Sequence, residues 1–140
     1  MYKADTSGRI MLLLSLWVLL LVAAVINGYI RETYVAPRFG SGVAQVYGVA
    51  VLSAVVWLAA AYFARGTRGP GWQRWAGIAG GLWVGLTVIF EFWFGHYVAG
   101  RPWHELLSAY YLWEGQLWPL VLLSEAVAPL LMGLRENRTV

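Results

Sequence analysis

Apolar residues along this chain gather into four long runs, separated by shorter stretches that carry most of the polar and charged side chains. The first run, IMLLLSLWVLLLVAAVINGYI, extends from about Ile10 to Ile30, and the second, VAQVYGVAVLSAVVWLAAAYFA, from about Val43 to Ala64. A third reaches from about Trp75 to Val98, and a fourth, LWPLVLLSEAVAPLLMGL, from about Leu117 to Leu134. The hydrocarbon core of a bilayer takes about 20 apolar residues of helix, so each run predicts a transmembrane span. The first run follows Lys3 and Arg9 as a signal peptide would, but it is long for one and lacks a small-x-small cleavage site. It is read as a retained helix. The pattern predicts an all-α fold, an integral membrane four-helix bundle in which residues 1–140 form a single transmembrane domain.

Between the third and fourth runs lies GRPWHELLSAYYLWEG, residues 100–115. Pro102 suits a helix start, and Trp103, Leu106, Leu107, Tyr110, Tyr111 and Trp113 give the following segment an apolar, aromatic face. At about residues 102–114 it is too short for a fifth span. Its Tyr and Trp content suits the headgroup level, so a short interfacial or re-entrant helix is expected there, as a lid or as an aromatic anchor.

Composition sharpens the membrane reading. Sixty per cent of the residues are hydrophobic and 12% are charged. Mean hydropathy is +0.61, which sets the chain apart from soluble domains. The absence of cysteine excludes disulfides, thiolate nucleophiles and sulfur-ligated clusters. The net charge of +3 is read as topology and not as nucleic-acid affinity. Lys3, Arg9, Arg65, Arg68, Arg74, Arg135 and Arg138 fall on one side of the four spans, and only Arg31, Arg38 and Arg101 on the other. The positive-inside rule then places both termini in the cytoplasm, and a multi-pass protein of the bacterial inner membrane is expected.

This topology brings distant polar residues to one outward-facing level. Asn27 and Arg31 share a face at the end of the first span, with Glu32 beside them. Glu91 and His96 end the third span, and the following segment adds Trp103, His104 and Glu114. Glu91 would lie about 10 Å inside the bilayer at 1.5 Å per residue, where an unpaired carboxylate costs several kcal/mol. Arg31 is the expected partner, in a pair that either locks two helices or serves a ligand. His96 sits about 140° around the helix from Glu91. A hydrogen bond to a backbone carbonyl is its ordinary role, and His96, His104 and Glu91 are only weak metal candidates because they lack a recurrent ligand spacing. No cofactor is expected, neither metal nor haem.

Glu125 stands apart, near the middle of the fourth span with no basic residue at its depth. It is expected to be neutral, with Ser15, Ser53, Ser124 and Thr87 as candidate hydrogen-bond partners. Glu114 lies eleven residues before it, about 20° away around a continuous helix, which would align a carboxyl path inward. Gly77, Gly81 and Gly85 recur every four residues and are read as a helix-contact stripe, serving the first or second span or a second copy of the chain.

The blocks NGYIRETYVAPRFG at 27–40, FEFWFGHYVAGRPWHELL at 90–107 and GQLWPLVLL at 115–123 resemble a group of small bacterial four-span inner-membrane proteins. The resemblance implies that Asn27, Gly28, Arg31, Glu32, Glu91, Gly95, His96 and Trp103 occupy the family's motif positions, and that Glu125 departs from it. It implies a fold and a place for the site, and no chemistry. With no nucleophile–base order, phosphate loop or cofactor fingerprint, a nameable enzyme class is not supported. The leading expectation is a small binding or transport protein with an outward-facing polar site built from Arg31, Glu32, Glu91 and His96. The alternatives are an accessory subunit of a larger membrane complex, and a membrane-surface enzyme or metal or haem carrier. The bilayer is the expected partner, with a homo-oligomer through Gly77, Gly81 and Gly85 as an option and no nucleic acid.

Overall fold

A computed structural model describes residues 6–108, 110, 111 and 116–138. Five helices make up the described chain: α1, Thr6–Phe39; α2, Ser41–Gly66; α3, Trp72–Val98; α4, Trp103–Ser108; and α5, Trp118–Asn137. Among the described residues there is no strand. All but α4 are long and apolar enough to cross a membrane, so the chain is an all-α, multi-pass membrane protein.

Both α1 and α3 end in a widened π-helical turn, at Arg31–Val35 and Phe94–Val98. In α1 the turn has a local cause. Pro37 has no N–H to give to the carbonyl four residues earlier and its ring crowds that carbonyl, and the wider turn, closed by Ala36 N–H onto Arg31 O, lets the helix run on past it. The first span is therefore longer than its apolar run, because the helix continues through Arg31 and Glu32 to Phe39. Gly40 alone joins α1 to α2. Its φ of +91° is open to glycine and turns the chain back within one residue.

Helix α5 is the hub of the bundle, packing most extensively on α2 and then on α3, while α1 leans on α2. The core is drawn from Leu13, Leu16 and Leu20 of α1, Leu52, Val56 and Phe63 of α2, Ala79 and Trp83 of α3, and Val121 and Ala128 of α5. Trp83 is completely buried, donates its indole N–H to Leu13 O at 3.1 Å and meets Phe63 edge-on at 6.1 Å. At the end opposite the π turns, Glu136 of α5 pairs with Arg68 at 2.6 Å and Arg65 at 3.5 Å, and Asn137 Oδ1 accepts from Gly69 N–H.

The small-residue contact does not fall on the expected stripe. Among the described residues, a Cβ at Gly77, Gly81 or Gly85 would meet nothing within 4 Å, and Gly77 and Gly81 are exposed, so the stripe faces open space. Gly80 makes the close approach instead, since a Cβ there would stand 2.6 Å from the carbonyl oxygen of Ala126 on α5. Gly80→Ala should therefore cost about 1–3 kcal/mol through overpacking against backbone. Gly81→Ala should be neutral or stabilising, because alanine is the better helix former. Reversible unfolding of both variants in one detergent checks the contrast, and equal effects would place α3 in the wrong rotation about its axis.

Within the expected 102–114, the segment after α3 is helical over Trp103–Ser108 and turns at Tyr110. Trp113 and Glu114 lie outside the described residues. The helix sits on the end of α3 because Gly95 has no side chain: a Cβ there would be 2.6 Å from Leu106 Cδ2.

Candidate functional site

The π-turn end of the bundle encloses a basin of about 380 Å³. Helix α1 contributes Arg31 and Glu32, α2 contributes Ser41 and Gln45, and α3 contributes Glu91, while Arg101, Gln116 and Trp118 come from the α3–α5 connection and the start of α5. The sequence places these residues in three separate polar clusters. Reversing the chain at Gly40 and packing α5 between α2 and α3 brings them together.

Glu91 is the most constrained of them. Its Oε2 accepts a hydrogen bond from the Tyr110 hydroxyl and a second, at 3.0 Å, from the Trp118 indole N–H. Two donors from residues beyond α3 thus hold a half-buried carboxyl in place. Burial raises the Tyr110 phenol above its ordinary range and the Glu91 carboxyl raises it further, which keeps Tyr110 a neutral donor.

The expected Arg31–Glu91 pair is not formed. Arg31 instead meets its neighbour Glu32, Nη2 to Oε1 at 3.2 Å. The physical reason is that Glu91 is already satisfied by a phenol and an indole, while the π turn leaves Arg31 lying against α2. Gly48 makes room for it: a Cβ at that position would stand 3.2 Å from Arg31 Cδ and 3.6 Å from Asn27 Nδ2. Asn27, 8% exposed, donates through Nδ2 to Gly48 O at 2.9 Å. Asn27 Oδ1 and Arg31 Nε are both buried and have no partner among the described residues. Across the basin Arg101 is held by Glu105 at 3.0 Å.

His96 does not line the basin. Its Nδ1 lies 2.8 Å from Arg101 O, and its ring stacks on Trp103 at 3.9 Å. It takes the ordinary role of a histidine bound to a carbonyl, and it fixes the loop that carries Arg101. Trp103 and Tyr110 both stack on Phe92, at 6.1 Å and 5.7 Å, which makes an aromatic layer beside Glu91. His104 is exposed on α4. Among the described residues, no three His, Asp or Glu side chains gather as metal ligands would. Glu114 lies outside the described residues, and with it the upper end of the suggested carboxyl path.

Deeper in the bundle, Glu125 is 2% exposed. Of the hydroxyls considered for it, Thr87 makes the bond, donating to Oε2 at 2.9 Å and accepting from the Trp17 indole at 3.1 Å. A void of about 30 Å³ lies against Glu125, Thr87 and Trp118, room for about one water. Trp118 lines this void and the basin alike and separates the two carboxyl groups.

Sequence reasoning missed Gln45, Tyr110 and Trp118 as members of the site. A repeat that contains none of the three, Tyr-Val-Ala-x-Arg, occurs at Tyr34–Arg38 and again at Tyr97–Arg101, each copy overlapping a π turn and ending near a glycine of positive φ, Gly40 or Gly100. The repeat marks two matching span exits on one side of the bundle.

Fold and site together define a four-span membrane protein with a polar basin at one end. No protein-family model matches the chain, and neither a curated protein nor a solved structure does.

Proposed function

We propose that this is a small membrane binding or transport protein whose basin takes the anionic group of a ligand from the outward face. The carrying observation is a space of about 380 Å³ in which Arg31 and Arg101 face a carboxyl held by Tyr110 and Trp118. Among the described residues each guanidinium group pairs with a neighbouring surface carboxylate, at 3.2 Å and 3.0 Å, and such exposed pairs give up their contacts at little cost. A phosphate or carboxylate accepting from both would gain charge-assisted hydrogen bonds in a partly enclosed space. The distribution of basic residues supports an outward basin and cytoplasmic termini, in the inner membrane of a bacterium. The family resemblance of the motifs around Asn27–Glu32 and Glu91–Trp103 supports the same location for the site.

The reading that the charges merely lock helices together relied on an Arg31–Glu91 bond, and these two side chains have other partners. Glycerol phosphate and inorganic phosphate are suitable probes in calorimetric titration of the protein in nanodiscs. Saturable binding is expected, weakened about 10- to 100-fold by Arg31→Gln and by Arg101→Gln, the worth of one charge-assisted hydrogen bond each. Absence of binding by either probe, or binding indifferent to both substitutions, would overturn the reading.

A further inference from the structure

Beside the basin, a second space of about 270 Å³ runs down the flank of the bundle between α1 and α2. Ile26, Ile30, Val51 and Val55 line it, with Asn27 and Tyr47 as its polar members. It opens sideways, since Ile26 and Val51 are 54% and 38% exposed on the face that meets lipid. From Tyr47 to Val55 the groove follows α2 for about 12 Å at helical rise, most of the ~15 Å of hydrocarbon in one leaflet.

Groove and basin meet at one place. Asn27 belongs to the groove and Arg31, one helical turn further along α1, to the basin, and both lie over Gly48. The two unsatisfied atoms of this region are found there. Among the described residues, Asn27 Oδ1 is an acceptor without a donor, and Arg31 Nε is a donor without an acceptor. Asn27 is more than nine-tenths buried, and a buried amide oxygen left unpaired costs free energy that a ligand donor would recover. An occupant that satisfies both atoms has an anionic group above the junction, a hydrogen-bond donor at it, and one hydrocarbon chain below it.

We infer that basin and groove form a single site for a single-chain anionic lipid, entering sideways from the leaflet on the basin's side. Its phosphate lies between Arg31 and Arg101, a hydroxyl where head meets tail donates to Asn27 Oδ1, and the chain follows the α1–α2 groove. A lysophospholipid has this chemistry. A diacyl phospholipid does not, because the glycerol oxygen at the junction is esterified and a second chain has no groove. The inference rests on the proposed basin for an anionic group and names the class of its ligand.

The test uses the full chain in phosphatidylcholine nanodiscs, with lysophosphatidylglycerol and diacyl phosphatidylglycerol added in turn and adducts read by native mass spectrometry. One lysophosphatidylglycerol per chain is expected, retained at least tenfold better than the diacyl lipid. Val51→Trp fills the groove from an exposed position that leaves the core intact, and should reduce retention at least tenfold while leaving glycerol phosphate binding unchanged. Asn27→Leu should reduce it about fivefold, one neutral hydrogen bond. Equal retention of the diacyl lipid, or undiminished retention by Val51→Trp, overturns the inference. If glycerol phosphate still binds in that case, the basin stands without the lipid, and if it does not, both readings fall.

Discussion

Replacing Trp83 with alanine is expected to cost about 3–5 kcal/mol of stability, among the largest effects of any single side chain in the bundle. Trp83 is completely buried, and its ring fills the space between Leu13 of α1 and Phe63 of α2. Helix association within a bilayer depends on packing, because lipid tails solvate an exposed apolar side chain as well as a neighbouring helix does. Truncation therefore leaves a void whose walls lose their dispersion contacts outright. Trp83→Phe should retain the edge-on contact with Phe63 and lose the indole hydrogen bond to Leu13 O, for a smaller penalty. Trp93→Ala, at a residue 55% exposed, is the matched control and should change little. Reversible unfolding in a fixed detergent measures all three. A loss below about 1 kcal/mol for Trp83→Ala would mean that α1, α2 and α3 do not converge on this residue.

Long apolar runs read directly as spans, because a run of about 20 such residues has few alternatives to crossing a bilayer as a helix. Rotation of each helix about its axis was not legible in the same way. In a span that is apolar on every side, hydrophobicity cannot tell the face that meets lipid from the face that meets protein, so Gly77, Gly81 and Gly85 read as a contact stripe although they are open to the outside. Gly80, one position away, meets Ala126. The distinction depends on where α5 lies, and α5 follows α3 only after a connection of some twenty residues.

The site was legible in its location and less so in its pairings. Ionisable residues in an apolar chain are costly unless they share a polar space, and Arg31, Glu32 and Glu91, grouped by that argument, line one basin. It failed on who bonds to whom. Opposite charges suggested Arg31 for Glu91, whereas Tyr110 and Trp118 take that place and were read only as interfacial aromatics or as part of an apolar run. Neutral donors carry no charge signature in a sequence. Gln45 was hidden for the same reason, although its Oε1 accepts from Leu117 N–H and joins α2 to the start of α5. Thr87, by contrast, was one of four hydroxyls considered for Glu125, with Ser15, Ser53 and Ser124, and it is the one that makes the bond.

Glu91→Ala should separate the constructional work of this carboxyl from any part it has in binding. Removing it leaves the Trp118 indole N–H and the Tyr110 hydroxyl without an acceptor, at about 1–3 kcal/mol for each donor that stays buried. A total loss of about 2–6 kcal/mol is expected where both donors stay buried. The loss should also be uneven along the chain, because Tyr110 ties the segment after α4 to α3 through this contact. Amide exchange over residues 103–111 should accelerate well before the core of α2 responds, as a local opening does. Glu91→Gln keeps a carbonyl oxygen where both donors point and should restore most of the stability and the slow exchange. It cannot carry a negative charge, so it should not weaken glycerol phosphate binding at Arg31 and Arg101, which face the same space. Unchanged exchange in Glu91→Ala would show that Tyr110 and Trp118 do not depend on this acceptor, and weakened phosphate binding in a stably folded Glu91→Gln would require the carboxyl itself to meet the ligand.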